Sequence, residues 1–172
     1  MNTPYTSAEA RRAVELLASR SLIRLVTEID DNGAIPPRRL AGTLPDLSTH
    51  QLRSASDTAR ALGLVRLAPG AGLELTHAGT ELADLYDAIA RWARRHAVPA
   101  PVCEFSSRIQ HGLDLLAPSL TTERSDGHSP LASARLTCAG AEADLSRPRT
   151  LLIHWLAGNP QAATVIKPEP AA

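Results

Sequence analysis

The clearest structural signal in the sequence is the stretch from residue 36 to residue 75: PPRRLAGTLPDLSTHQLRSASDTARALGLVRLAPGAGLEL. After its opening prolines we predict a short helix over Arg38 to Leu44, which ends before Pro45 because a residue that precedes proline avoids helical dihedrals. A longer helix follows, with Ser48 as its N-cap and Gly63 just past its end. Its inward residues recur at helical spacing: Leu52, Ala55, Ala59 and Leu62. These signals predict two helices joined by a short turn.

A change of period follows the second helix. Leu64 to Leu67 and Leu73 to Leu75 are two short strand-like segments, and Pro69 to Gly72 between them is a hairpin connection. Two short helices joined by a tight turn and followed by a β-hairpin are typical of a winged helix-turn-helix. The stretch therefore predicts this fold, which is mainly α with a small β-hairpin wing.

Predicted helices flank this stretch on both sides. Upstream, Ser7 caps a helix to about Ala18, and a second helix begins at about Ser21 and stops at the turn-forming cluster Asp30 to Gly33. Downstream, Thr76 caps a long helix to about His96. This long helix carries an a/d-like seam, formed by Leu75, Ala78, Leu82, Leu85, Ile89, Trp92 and His96. The seam either closes the core of the domain or forms a dimer contact.

We predict two units in the chain. Residues 1–99 form the winged helix-turn-helix domain, which also carries the dimer contact, and residues 100–172 form a helical C-terminal extension. In the extension, helices are predicted over Val102 to Leu116, over Pro130 to Ala143 with Ser129 as the cap, and over Arg149 to Leu156. The residues leave open whether the extension dimerises or senses a ligand.

The charge balance argues against binding of nucleic acid by bulk electrostatics. The chain has 18 basic and 18 acidic side chains, so its formal net charge is zero, and neither predicted unit is a polycation. Any contact with DNA must therefore come from a local patch. The first ten residues are polar, and no apolar run approaches 18 residues, so we expect a cytoplasmic protein that does not span a membrane.

Catalytic and metal-binding motifs are not found in the sequence. The candidate zinc ligands Cys103, His111, Cys138 and His154 are scattered, without the CxxC or HxxxH spacing of a zinc site. Walker, dinucleotide-binding and GxSxG motifs are also missing. We therefore expect no cofactor, no metal and no enzymatic activity. The two cysteines are interpreted as inert buried thiols, with a redox pair as the alternative.

Three segments resemble the HxlR family of bacterial winged-helix regulators: RRAVELLASRSLIRLVTEI from residue 11, PPRRLAGTLPDLSTHQLRSASDTARALGLV from residue 36 and LTHAGTELADLYDAIARWARRH from residue 75. The resemblance covers roughly Ala8 to His96. Its most specific parts are the LPxLS pattern that begins at Leu44, the GLV that begins at Gly63 and the closing helix pattern from Leu75. The resemblance implies a homodimer, held largely by the first and last helices of this region, that binds a pseudo-palindromic DNA operator.

The sequence departs from the family at positions that bear on function. Members commonly carry a cysteine just before the first helix, which some use for redox sensing, but Tyr5 to Glu9 holds none. The usual Gly-Lys-Trp before the second helix is Ser19-Arg20-Ser21 here. In the second helix of the predicted helix-turn-helix, His50 and Ala55 stand at commonly basic positions, and Ser56 stands at an inward position that is often Leu. The family's habitual base contacts can therefore not be carried over.

In a helix-turn-helix, the N-terminal half of the second helix enters the major groove of DNA. Arg53 in this half could donate to guanine, and Gln51 could contact adenine. Arg38 and Arg39 are placed to hold phosphates, and Arg66 on the wing could reach a phosphate or the minor groove. The candidate DNA-binding residues are therefore Arg38, Arg39, Ser48, Thr49, His50, Gln51, Arg53, Ser54 and Arg66. For each arginine the alternative is a solvated surface charge.

We expect a sequence-specific transcriptional regulator that binds double-stranded DNA as a homodimer, with a small-molecule effector as a further candidate partner. An alternative is a small-molecule sensor that has kept the scaffold and weakened its DNA contacts, because the second helix lacks stronger base readers. The added helices would then wall an apolar pocket lined by Trp92, Phe105 and Trp155. A further alternative is a protein-interaction module without a ligand.

Overall fold

The computed structural model describes residues 5–100, 103–121 and 139–164. In these ranges the chain is mainly helical, and its strands form one two-stranded antiparallel sheet. The helices are α1 (Ser7–Leu17), α2 (Arg20–Asn32), α3 (Leu40–Thr43), α4 (Thr49–Ala61), α5 (His77–Arg95), α6 (Phe105–Leu116), α7 (Ala139–Asp144), α8 (Ser146–Gly158) and α9 (Gln161–Thr164). Short 3₁₀ helices at Pro37–Arg39 and Ala117–Leu120 precede α3 and follow α6, and the strands are β1 (Val65–Ala68) and β2 (Gly72–Leu75). None of the described helices is both long and apolar enough to cross a membrane.

Helices α3 and α4, joined by a short turn, form the unit that the opening stretch predicts, and α4 packs against α2. Leu44 and Leu47 anchor the turn, because their side chains are buried. Ser48 is the N-cap of α4, as predicted. Its Oγ accepts a hydrogen bond from Gln51 N (3.2 Å), and its own N–H donates to Gln51 Oε1 (2.8 Å). This capping box satisfies two amide groups at the start of the helix.

The β-hairpin lies where the sequence predicts it, with Val65 opposite Leu75. Ile35 adds a third backbone segment on the free side of β2, since Ile35 N donates to Leu73 O (2.9 Å) and Leu73 N donates to Ile35 O (2.8 Å). This close approach requires glycine at position 72, where φ is +113° and a Cβ would lie 2.5 Å from Ile35 O. The sequence analysis did not predict the bridge, because a single residue before two prolines carries no strand pattern.

Thr76 joins the hairpin to α5. Its Oγ1 accepts a hydrogen bond from Gly79 N (3.3 Å), which confirms Thr76 as the N-cap of α5. The same hydroxyl donates to Gly63 O (2.6 Å), and the backbone N–H of Thr76 donates to Leu64 O (2.8 Å). One residue therefore fixes the start of α5 against the segment that leaves α4.

Helix α5 packs against α2, α6 and α8. The central residues of its a/d-like seam, Leu82, Leu85, Ile89 and Trp92, are at most 2% exposed. Of the two interpretations of the seam, the structure favours the first: these residues close the core of the chain. The end residues Leu75 and His96 are partly exposed.

The C-terminal extension packs against the preceding residues in one continuous core. Side chains donate hydrogen bonds to backbone carbonyls across this contact: Trp92 to Ala141 (2.9 Å), Trp155 to Ala78 (2.9 Å), Gln110 to Ala18 (2.8 Å) and Gln161 to Leu62 (3.2 Å). Tyr5, before α1, likewise donates to Leu156 O in α8 (2.7 Å). The residues that we predicted as two units, 1–99 and 100–172, thus bury their apolar side chains together.

The N-cap of α1 is Thr6 and not Ser7, which corrects the prediction. Thr6 Oγ1 accepts a hydrogen bond from Glu9 N (3.3 Å), and Thr6 N donates to Glu9 Oε2 (2.8 Å). The reason for the difference is the residue three positions on. Thr6 is followed at that spacing by Glu9, which completes a capping box, whereas Ser7 is followed by Ala10.

Two helix starts in the extension also differ from the prediction. Helix α6 begins at Phe105, three residues after the predicted start, because Glu104 has extended backbone dihedrals. Helix α8 begins at Ser146 instead of Arg149, since Pro148 is tolerated in a first turn, where its missing N–H has no partner to lose. The helix predicted over Pro130 to Ala143 lies outside the described residues up to position 138, as does its predicted cap, Ser129. From position 139 onward it coincides with α7.

Gly112 allows α6 to approach α5 closely, since a Cβ added there would collide with the side chain of buried Ile89. We expect Gly112→Ala to lower the free energy of unfolding by about 1–3 kcal/mol, although alanine favours a helix more than glycine does. Urea unfolding followed by circular dichroism measures this change. Gly140→Ala is the control, because a Cβ there meets no described atom within 4 Å. Equal stability of the two variants would show that the α5–α6 contact is not tight.

Candidate nucleic-acid interface

Helix α4 exposes most of the residues predicted to contact DNA. Its inward residues are buried: Leu52, Ala55, Ser56 and Ala59. Thr49, His50 and Arg53 are exposed in the N-terminal half of the helix, whereas Ser54 is half-buried. Because helix residues three and four apart share a face, the inward stripe sets the direction of this exposed surface. The structure thus presents Thr49, His50 and Arg53 to solvent.

Three of the predicted contact residues carry unpaired positive charge. Arg38 and Arg39, in the 3₁₀ helix before α3, and Arg53 on α4 are exposed, and among the described residues none of them has an acidic partner. Six other described arginines are in ion pairs with carboxylates: Arg20, Arg24, Arg60, Arg66, Arg91 and Arg95. The remaining described ones, such as Arg11, Arg94 and Arg147, have no ion pair either, so Arg38, Arg39 and Arg53 are distinguished by their position before α3 and on α4. An exposed guanidinium without a carboxylate partner keeps its donors free for a phosphate or a base edge.

Gln51 and Ser48 are engaged with each other in the capping box of α4. Gln51 Oε1 accepts the hydrogen bond from Ser48 N. A bidentate contact with adenine would require the same oxygen together with Nε2 of the amide. In this conformation Gln51 therefore supports the helix start, and its predicted contact with adenine stays a prediction that needs a change of rotamer.

Arg66 lies on β1 opposite Glu74 of β2. Its Nε donates to Glu74 Oε1 at 2.6 Å, but 71% of the Arg66 side chain is exposed. Because the printed contact involves Nε and most of the side chain is exposed, the ion pair orients the arginine without burying it. Its contact with DNA stays a prediction, with the pairing to Glu74 as a competing interaction.

An ion-pair network holds the α3–α4 turn against α2. Asp46 in the turn accepts hydrogen bonds from Arg24 Nε (3.1 Å) and Arg20 Nη2 (3.3 Å), and Arg20 also donates to Glu104 (2.9 Å). The hydrogen bond from Arg24 holds the pKa of Asp46 below its ordinary value. Sequence reasoning missed this network because its members are about 20 to 80 positions apart, without any local spacing signal. The network links the start of the extension to the turn that positions α4.

The three residues proposed as a ligand-pocket lining are mainly core residues. Trp92 and Trp155 are each 2% exposed, and their indole N–H groups are bonded to the backbone carbonyls of Ala141 and Ala78. Phe105 is half-buried and packs against the same core. Of the three, Trp92 also borders a surface groove between α5 and α8. The two indoles therefore serve to join the extension to α5.

The candidate metal and thiol residues are not brought together. Within the described residues, no three or more His, Cys, Asp or Glu side chains are grouped so that they could hold a metal ion. Cys103 is a half-buried free thiol just before α6, and Cys138 lies outside the described residues. His154 is exposed on α8, and His111 is half-buried on α6.

Comparison with family models, curated proteins and solved structures finds no match to this chain. The resemblance to the HxlR family therefore rests on the residues quoted above. What bears on function is the arrangement of α3, α4 and the hairpin, together with the charges on their exposed surfaces.

Asp46→Asn removes the charge that pairs with Arg24 and Arg20. Because the pKa of folded Asp46 is lowered, its contribution to stability is fully present above the ordinary aspartate pKa of about 4 and is lost as pH falls through the folded pKa. We expect the variant to be less stable by about 0.5–1 kcal/mol at pH 6, since the pair is partly exposed. Urea unfolding at pH 6 and pH 3 should show a smaller difference at the lower pH.

The matched control for this measurement is Asp57→Asn. Asp57 lies on the exposed face of α4 and has a single ion pair with Arg60 at 3.5 Å. Its replacement should change stability by less than the replacement of Asp46. If Asp46→Asn lowers the free energy of unfolding by the same amount at pH 6 and at pH 3, the role assigned to the charged carboxylate is contradicted.

Proposed function

We propose that this chain is a sequence-specific DNA-binding transcriptional regulator that places the N-terminal half of α4 in the major groove. The observation that carries the proposal is the combination of a firmly capped, outward-facing helix start with unpaired arginines. Arg53 lies on this surface, and Arg38 and Arg39 lie just before α3. A zero net charge does not oppose the proposal, because these charges are local.

Each residue type has a role that follows from its chemistry. Arg53 is assigned to base reading, since a guanidinium can donate two parallel hydrogen bonds to O6 and N7 of guanine. Thr49 and His50, at the exposed helix start, are assigned to neighbouring base edges or phosphates. Arg38 and Arg39 are assigned to phosphates, which fix the position of the protein without reading sequence. The proposal assigns no catalytic step to the chain.

The order of elements supports a winged helix-turn-helix as the fold behind this function. Helices α2, α3 and α4 are followed by the β1–β2 hairpin, and Ile35 pairs with β2 ahead of α3. In this arrangement the hairpin is the wing, and Arg66 is assigned to the DNA backbone beside the major groove. The support is the succession and pairing of the elements together with the resemblance to the HxlR family.

The resemblance also implies a homodimer on a pseudo-palindromic operator, and we retain this as a part of the proposal, together with the expected cytoplasmic location. A dimer must use surfaces other than the central seam of α5, because Leu82, Leu85, Ile89 and Trp92 are buried within the chain. A two-fold operator would show two half-sites separated by about one helical turn of DNA.

Selection from a randomised duplex library tests the proposal, because this method does not require the operator to be known. Enriched and scrambled duplexes are then compared by fluorescence anisotropy across a salt series. We expect Arg53→Ala to weaken binding to the enriched sequence by roughly ten- to a hundredfold and to change binding to scrambled DNA much less. If about six phosphates are contacted, the log–log salt slope is about −5, and Arg38→Gln should reduce it by about 1.

Arg60→Ala is the control for Arg53→Ala, because Arg60 is in the last turn of the same helix and is already paired with Asp57. It should leave the affinity for the enriched sequence nearly unchanged. If no sequence is enriched, or if Arg53→Ala and Arg60→Ala behave alike, α4 does not read DNA. The functions that then remain are a ligand sensor or a protein-interaction module on the same scaffold.

A further inference from the structure

A groove of about 250 Å³ runs along α5 beside the start of α8. Helix α8 is antiparallel to α5, because Asp144, just before α8, contacts Arg95 at the end of α5, and Trp155 in α8 bonds to Ala78 near its start. The groove therefore has two distinct ends. One lies near Arg95 and Asp144, and the other lies near Asp84 and Leu151.

The first end of the groove is rich in guanidinium groups. It is lined by Arg91, Arg95 and Arg147, all of which are exposed. Arg91 pairs with Asp87 one turn before it, and Arg95 pairs with Asp144 (3.2 Å), which also contacts His96 (3.2 Å). These pairs orient two of the arginines and leave other N–H donors of each guanidinium free.

Arg147 has no acidic partner among the described residues, although it borders the same groove. The basic end thus has one guanidinium in excess of its carboxylates. Asp84, the other acidic residue of the lining, precedes Arg91 by seven residues, which is roughly 10 Å along a helix. Its charge is therefore distant from Arg91 and Arg95 at the basic end.

Between the two ends four lining residues are apolar, and two of them, Ala88 and Leu151, are partly exposed. Ala88 and Trp92 of α5 line the groove on one side, and Pro148 and Leu151 of α8 line it on the other. Trp92 is held in place by the hydrogen bond from its Nε1 to Ala141 O (2.9 Å), so the indole is a rigid part of this wall. A carboxylate held at the basic end would place an attached hydrocarbon group along this apolar section.

We propose that the groove between α5 and α8 binds a small organic acid, with its carboxylate on Arg147, Arg91 and Arg95 and its apolar body against Ala88 and Leu151, beside Trp92. A guanidinium binds a carboxylate through two parallel hydrogen bonds. The volume of the groove is below the range of about 300–1,000 Å³ found for drug-sized ligands, so the acid is a small one. This site is separate from α4, and the proposal does not depend on DNA binding.

Phenylacetate is the probe, and the two tryptophans of the chain provide the readout. In ¹H–¹⁵N spectra of the full chain, we expect the indole signal of Trp92 to shift saturably with phenylacetate while that of Trp155 stays in place. Phenylacetamide has the same shape without the charge and should bind at least tenfold more weakly. Inorganic phosphate, which lacks an apolar body, should also bind more weakly than phenylacetate.

Arg147→Gln should weaken phenylacetate binding by about tenfold, and Arg60→Gln, on the remote helix α4, should leave it unchanged. Because Arg147 has no ion pair among the described residues, its replacement removes no ion pair from the described fold. The comparison of phenylacetate with phenylacetamide is made on the unaltered chain, so it tests the proposal without any variant. Any of three results overturns the proposal: no saturable shift of Trp92, equal binding of phenylacetamide, or unchanged binding to the Arg147→Gln chain.

Discussion

The burial of helix α5 is the constraint on which the other helices depend. Its apolar residues contact α2, α6 and α8, and its middle residue Tyr86 is fully buried. The hydroxyl of Tyr86 donates to Leu17 O at the end of α1 (2.7 Å), and burial raises its pKa, so the hydroxyl remains a donor in the neutral range. If α6 were absent, the side chain of Ile89, which lies against Gly112, would be exposed to water at a cost of about 1.5–3 kcal/mol.

This constraint makes the extension a part of the fold, and it also brings the extension to both ends of the predicted DNA-binding helix. Glu104, before α6, pairs with Arg20, which in turn pairs with Asp46 in the turn that precedes α4. At the other end, Gln161 donates to the carbonyl of Leu62, the C-cap residue of α4. The position of α4 therefore depends on residues from the last part of the chain as well as on its own neighbours.

Features encoded by neighbouring residues could be predicted from the sequence, and contacts between distant residues could not. The caps Ser48 and Thr76 and the exposure of Arg53 follow from local spacing, and the structure agrees with each. The pair of Asp46 with Arg24 has no such signal. The hydrogen bonds between Gln51 and Ser48 could have been predicted from the sequence, because a serine followed three residues later by glutamine is the pattern of a capping box. For the candidate site, the sequence thus indicated which side chains face outward but not which of them are already bonded.

The buried seam of α5 also bears on how the proposed DNA binding would be organised. A single helix in the major groove contacts only part of one helical turn, so a pseudo-palindromic operator requires a second copy placed by two-fold symmetry. Stable interfaces bury about 800 Å² on each partner around an apolar centre. Among the described residues, Leu67 on the hairpin is the only large hydrophobic side chain that is exposed. In the proposed homodimer, the interface would therefore have to use half-buried apolar side chains such as Leu40 and Leu115, and the proposed phosphate contacts of Arg38 and Arg39 would weaken as salt increases.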